Sequence, residues 1–338
     1  MKENYAPWVV DINSFPKQGN LYDQLKFLIN FAILAPSSHN SQPWKFKIEN
    51  NSILVFPDIT RRLPKSDSNN RQLYIGLGCA MANIKIAADF YGYTVGTQYL
   101  LRDDCAVKLV LTKTQPQNDK NHLIYAILTR TNNRNKYENR LPSSSILKEF
   151  RALSTANTFI NIIEDNKTKD MIADVAIGGI SEAMSNPAFR SELSYYLKSN
   201  LTRSKIGMPG FGMGFPTLIS LIAPKLLKNF NMSKITRRKD ELLLKKFTPL
   251  FIIISTQQDG KASWLDAGEV FENAALIAEK NGLKTGVWAS PIQIGEHYMD
   301  LQNILKINFR PQMFFRLGYT NKVIPHSPRL SVEEVLVG

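Results

Sequence analysis

Two stretches of this chain, LYIGLGCAMANIKIAADFYGY (73–93) and SWLDAGEVFENAALIAEKNGL (263–283), constrain its fold more than anything else in it. The first is apolar nearly all round, and both end at a glycine, Gly92 and Gly282. A helix apolar on every side must be covered on every side, so each stretch predicts a central helix buried inside its own unit. The 338 residues leave room for two such units, at ~150 residues each. Around the first lie a helical segment, 21–35, stopped by Pro36, and an alternating hairpin, 44–58, turning at Asn50-Asn51. Strands are predicted at 95–101 and 106–113. Around the second lie a strand-like FINIIED, a long helical region over 167–200, the β-branched run PLFIIIST and the strand PQMFFRLGY. The expected class is α+β, in two halves of similar outline, 1–118 and 119–338.

Hydrophobic residues at 43% and charged residues at 21% exclude a largely disordered chain. Cys79 and Cys105 are too far apart for a CxxC pair, and His39, His122, His297 and His326 show no zinc spacing. There is no P-loop, no G-x-S-x-G and no HExxH. The start has no cationic region followed by an apolar run, and no segment gives ~20 apolar residues in succession, so a soluble protein of the reducing cytoplasm is expected. Gly76 and Gly78 of IGLGCAM superficially match a dinucleotide turn, but Met81 fills the third glycine position and no strand precedes. Small residues on a closely packed helix explain them better.

The net charge is +13, and residues 186–247 carry twelve Lys/Arg against Glu192, Asp240 and Glu241, or +9 of that excess. Charge so localised suggests an anionic ligand, a lipid surface or nucleic acid, with a solvated helix face as the plain alternative. Aromatic interleaving is sparse there (Tyr195, Tyr196, Phe230), which argues against nucleic acid.

Two polar segments hold chemistry. Pro36-Ser37-Ser38-His39-Asn40-Ser41-Gln42-Pro43-Trp44 offers hydroxyls, amides and backbone N–H groups at a helix end, the set that a polyol and a heterocycle edge require. Arg130-Thr131-Asn132-Asn133-Arg134-Asn135-Lys136-Tyr137 presents guanidinium forks suited to phosphate oxygens. Composition alone reads the first as a rigid turn anchored by Trp44 and the second as an exposed basic loop.

Together with DITRRLPKSDSNNRQLYIGLGCAMANIKIAA (58–88), SPIQ and the closing PHSPRLSVEEVL, these strings resemble the FMN-binding nitroreductase superfamily, and more closely its twin-domain Acg-type branch, over roughly residues 30–338. The resemblance implies a nitroreductase-like fold in two tandem copies forming an intramolecular pseudo-dimer. In ordinary members each of two FMN sites takes the arginine string from one subunit and the PSSxN loop from the other. Here the first half carries PSSHN without an arginine string and the second the reverse. The implication is one FMN per chain, between the halves.

Carried over by residue, Arg130, Asn132 and Arg134 would hold the phosphate and ribityl end, with Arg329 as a second phosphate ligand. Ser37, Ser38, Asn40 and Gln42 would belong to the loop facing the ribityl chain and ring, and Pro291 and Gln293 to the loop beside the ring. Asn132 stands where many members have Ser. The resemblance further implies a lid over the flavin at about 186–247. An opening lid would admit NAD(P)H and an acceptor such as a nitro compound or a quinone; a closed one would make an FMN store. FGMGFPTLISLIAPKLLKNF could instead lie on an anionic membrane, but a lid burying those residues is favoured, so membrane contact is not expected. The chain could stand alone as a pseudo-dimer or pair as a homodimer.

Overall fold

Asn20 accepts a hydrogen bond from Asp23 N and so starts α1 (Leu21–Ala32), whose Leu25, Leu28, Ile29 and Ala32 are wholly buried. The computed structural model describes residues 2–102, 104–116, 119 and 122–338. β1 (Trp44–Glu49) and β2 (Ser52–Pro57) form the hairpin at Asn50-Asn51, with Trp44 fully buried. Then come α2 (Arg71–Phe90), β3 (Tyr93–Tyr99) and β4 (Val107–Lys113). The half boundary expected after residue 118 falls on Asn118, outside the described residues.

After α3 (Ile124–Thr129) the arginine string runs extended to α4 (Ser144–Ala152) and β5 (Thr158–Ile163). A long connection follows: α5 (Asn166–Ser185), α6 (Pro187–Tyr196), a short parallel pair β6 (Leu197–Lys198) and β7 (Met208–Pro209), α7 (Thr217–Asn229) and α8 (Ser233–Glu241). The helical region expected over 167–200 is therefore two helices. Asn186 accepts from Ala188 N and Pro187, which cannot donate to a preceding turn, opens α6. The chain finishes with β8 (Leu250–Thr256), α9 (Lys261–Lys280), β9 (Leu283–Val287), α10 (Ser290–Gln293), α11 (His297–Leu305), β10 (Arg310–Tyr319) and α12 (Val332–Val335).

Each half builds a four-stranded antiparallel sheet. The strand orders are β1-β2-β4-β3 and β5-β8-β10-β9, the same permutation once the strands of each half are numbered in sequence. α2 and α9 occupy the same place in that order, between the second and third strands. Where the first half has a two-residue turn between its first two strands, the second has the long connection from 164 to 249.

α2 and α9 cross at the centre of the molecule. A Cβ on Gly78 would fall 2.0 Å from the Leu265 carbonyl oxygen, and one on Gly268 would fall 2.0 Å from that of Ile75. Gly78 of IGLGCAM thus serves a backbone-to-backbone helix crossing and no dinucleotide turn, while Gly76 faces Ser37, 3.6 Å away. Among the described residues α2 is the one helix long and apolar enough to cross a membrane, and 83% of its apolar window is buried in this core. The C-terminal tail reaches across to the first half, where Val337 N donates to Phe46 O on β1 (2.8 Å); within the second half, Asn133 N donates to Thr285 O on β9 (2.8 Å).

Candidate functional site

The turn after α1 is held against local backbone preference. His39, Asn40 and Gln42 all have φ of 53°, a left-handed conformation that costs a side-chain-bearing residue about 1 kcal/mol or more. Its hydrogen bonds hold it there. Ser37 Oγ accepts from Gln42 N (2.9 Å), and Gln42 Nε2 donates to Lys205 O (2.7 Å) while its Oε1 accepts from Leu330 N (2.9 Å). Asn40 Nδ2 donates to Gly207 O (3.0 Å) and Pro328 O (2.9 Å), and its Oδ1 accepts from Arg329 Nη1 (2.7 Å). Buried backbone carbonyls must find partners, and this loop satisfies them from segments more than 160 residues away.

Arg329 is 4% exposed. Besides Asn40 it donates to Pro328 O, Leu34 O and Ala35 O, and its plane lies 4.8 Å from the Trp8 ring. Arg130, equally buried, donates to Leu34 O (3.4 Å) and sets its Nε 3.1 Å from Glu272 Oε1 on α9. That ion pair has poor angular geometry: Arg130 Nε and both Glu272 oxygens lack a well-formed hydrogen bond. Burial raises the Glu272 carboxyl above its usual range against the pull of Arg130, and burial together with Arg130 lowers Arg329 to about 9. His326, stacked on Trp8 at 3.8 Å, is lowered to about 4 by burial and by the charges of Arg329 and Arg130. Two guanidiniums against one carboxylate leave this cluster with a buried excess of positive charge.

The charge of Arg134 reaches the same turn through His39. Arg134 is half-buried and forms no hydrogen bond or ion pair among the described residues. Burial lowers its pKa, with the charge of Arg316 adding to that and Tyr137 opposing it. Its charge, after burial, helps lower His39 to about 4. His39 Nε2 lies 3.1 Å from Ser66 Oγ, which donates to Glu192 of α6 (2.5 Å). Tyr137, three residues further on, packs into a slot made by Gly286 on β9 and Gly318 on β10. Tyr137 in turn covers the buried Arg316, 4.4 Å away, and donates to Asn133 O (2.6 Å).

The fold therefore brings Ser37, Asn40, Gln42, Arg130 and Arg329 into one network, and the charge of Arg134 acts on His39 of the same turn. Ser38 lies on the same turn and lines a cleft with Arg61, Asp67 and Gln72. Asn132 is occupied elsewhere: its Oδ1 accepts from Val287 N (2.8 Å) and fixes the string to β9. Pro291 is buried in α10, and Gln293 Nε2 donates to Asp67 Oδ1 (3.1 Å) in the first half; neither residue bonds to the arginines or to the turn. Lys136 stays exposed over the Phe247 ring.

Sequence reading missed Glu272, Arg316, Trp8 and His326. Glu272 and Arg316 carried a signal, since each is the one charge inside a largely apolar run, FENAALIA and MFFRLGY. Trp8 and His326 carried none.

No family model matches the chain. A curated protein of Mycobacterium tuberculosis named acg, with NAD(P)H nitroreductase as its provisional activity, is 22% identical over 326 residues, spanning 93% of this chain and 95% of that one. By sequence, the chain is Acg-like. An uncharacterized protein of the same organism is 22% identical to this Acg-like chain over 330 residues, 92% of each. Among solved structures, the FMN-dependent nitroreductase NfnB of Mycobacterium smegmatis in complex with NADPH covers 64% of this chain and 97% of its own, at 10% identity and a TM-score of 0.42. An oxidized iodotyrosine deiodinase bound to FMN and 3-iodo-L-tyrosine covers 62% and 95%, at 16% identity and a TM-score of 0.37.

Proposed function

We propose that this chain is an FMN-binding flavoprotein of the nitroreductase type, an NAD(P)H-dependent oxidoreductase acting on nitro compounds or quinones. In this reading its two halves form a pseudo-dimer around one flavin. The observation that carries it is Arg134: a half-buried guanidinium without a partner among the described residues, its charge acting on a strained polar turn from the other half. A half-buried guanidinium with no protein partner keeps its fork open to an anion. The excess charge of the Arg130, Arg329 and Glu272 cluster at the turn favours the same.

In this assignment Arg134 is the free fork for the phosphate, and Arg130 and Arg329 set the field behind it. Ser37, Ser38, Asn40 and Gln42 line the turn for the ribityl chain and ring, Asn132 holds the arginine string in place, and Pro291 and Gln293 belong to the ring side. FMN, when bound, supplies two-electron redox chemistry between a nicotinamide and an acceptor. The residues of the chain bind and orient it and exclude water.

The name given to acg, and the cofactors named for NfnB and the deiodinase, agree with this reading. Its test is the spectrum of freshly purified protein, with flavin stoichiometry, followed by anaerobic mixing with NADH or NADPH. One FMN per chain and bleaching of the flavin band support it; colourless protein that takes up no added FMN overturns it.

One observation favours the second reading, a flavin store under a closed lid. The connection between β5 and β8 lies on the turn, through Lys205 O and Gly207 O, and Glu192 accepts from Lys65 N, Ser66 N and Ser66 Oγ. Bound flavin that no nicotinamide reduces in the wild type, but that is reduced in Glu192→Ala, would select that reading.

A further inference from the structure

Nineteen large apolar side chains are exposed among the described residues, and six of them, Leu218, Ile219, Leu221, Ile222, Leu226 and Phe230, fall on or next to α7. The expectation that a lid would bury these residues is corrected here. Leu218 is 79% exposed, Ile222 55% and Phe230 59%, and Ile235 on α8 adds another at 71%. α7 is fastened by its opposite side, where Ser220 Oγ accepts from Asn200 N (2.9 Å) and Ala223 is buried. Leu218, Ile222 and Leu226 recur every fourth residue, so they form one outward stripe.

Cations accompany that stripe, two on α7 and three on α8, the next helix. Lys225, Lys228, Lys234, Arg238 and Lys239 are exposed and make no ion pair among the described residues, whereas Arg237 is paired with Glu241. Different partners fit this combination unequally. A second copy meeting the same face would set five cations against the same five. A nucleic acid would neutralise the cations and leave the apolar stripe in water. An anionic bilayer takes both, the apolar side chains entering the acyl boundary and the lysines lying among the headgroups. At 13 residues α7 is too short to span the bilayer.

We propose that the α7–α8 face docks on an anionic membrane surface, so that the chain is a peripheral protein that places its second half against lipid. The proposal stands apart from the flavin assignment, since none of these residues belongs to that network.

The test is flotation of the full chain with phosphatidylcholine vesicles, with and without phosphatidylglycerol, at low and high salt. The expected result is partition onto the anionic vesicles that weakens with salt. Two variants dissect it. Leu218→Ser/Ile222→Ser/Phe230→Ser, which leaves the charge unchanged, and Lys225→Gln/Lys228→Gln/Lys234→Gln should each weaken partition by roughly tenfold or more. Neutralising Lys113, Lys306 and Lys322, away from this face, should change it less than about twofold. Absence of partition at low salt overturns the proposal, and so does equal loss in both lysine variants, which would mean adsorption by net charge alone. A concentration-dependent dimer abolished by the serine variant would assign the face to a second copy instead. If the serine variant loses its helical circular dichroism, the comparison of the two lysine variants decides.

Discussion

Gly78 of α2 and Leu265 of α9 approach so closely that a methyl group on the glycine would lie 2.0 Å from the leucine carbonyl oxygen. The obstacle is backbone, so no side-chain rotation relieves it. Gly78→Ala should destabilise the protein by about 3 kcal/mol, the upper end for overpacking, or prevent folding. Gly268→Ala should behave alike, meeting Ile75 O at the same distance. Gly96→Ala is the control: its nearest neighbour is 3.8 Å away, and the change should stay within about 0.5 kcal/mol. Urea denaturation measures all three, and equal effects at Gly78 and Gly96 would contradict the crossing.

Arg134 and Arg130 should separate binding from stability. Arg134 makes no bond within the fold among the described residues, so Arg134→Ala should keep or slightly raise the melting temperature of the cofactor-free protein. Loss of a charge-assisted hydrogen bond, worth roughly 1.5–3 kcal/mol, should weaken FMN binding by about ten- to a hundredfold. Fluorescence titration with FMN reads this, and unchanged affinity would remove Arg134 from the phosphate.

Arg130→Ala should act differently because it strands the Glu272 carboxylate, which is wholly buried. Breaking a buried pair from one side costs about 3–5 kcal/mol. The double variant Arg130→Met/Glu272→Met should recover most of that, since neither charge is left alone. Denaturation midpoints of the single and double variants give the coupling. Strictly additive effects would mean that the 3.1 Å approach has no energetic content.

Stability should fall as the pH drops from 6.5 toward about 4 by more than carboxylate titration explains. His39 and His326 are both lowered from 6.5 to about 4, chiefly by burial, so the unfolded chain binds protons in that window that the folded chain does not. The loss is at most about 3 kcal/mol for His39 and less for His326, whose ring is partly solvated. His326→Phe keeps the stack on Trp8 and removes the proton site. Its stability should decline less between these pH values than that of the wild type, and parallel curves would refute the assignment.

The fold was legible where physics leaves a periodic mark. The two apolar helices, the Asn50-Asn51 hairpin and the continuous burial of β8 all follow from local pattern. The break at Asn186-Pro187 was legible too, in the proline, and the strong helical signal on either side masked it. The candidate site was visible only as two strings. That Asn132 spends its side chain on Val287, that Arg130 pairs with Glu272, and that Trp8 meets His326 are contacts between distant segments. No spacing in the sequence encodes them. The exposed α7 stripe shows the converse. The resemblance implies that a lid would bury its residues, but neither a resemblance nor apolarity says which side of a helix the rest of the fold will occupy.

The Asn40–Arg329 bond joins positions 289 residues apart. A contact of that span can form only after both sheets and the helix crossing have reduced the chain's freedom, because the entropy of closing so large a loop has no local reward. Refolding should thus pass through a species with native circular dichroism and an unfinished crevice.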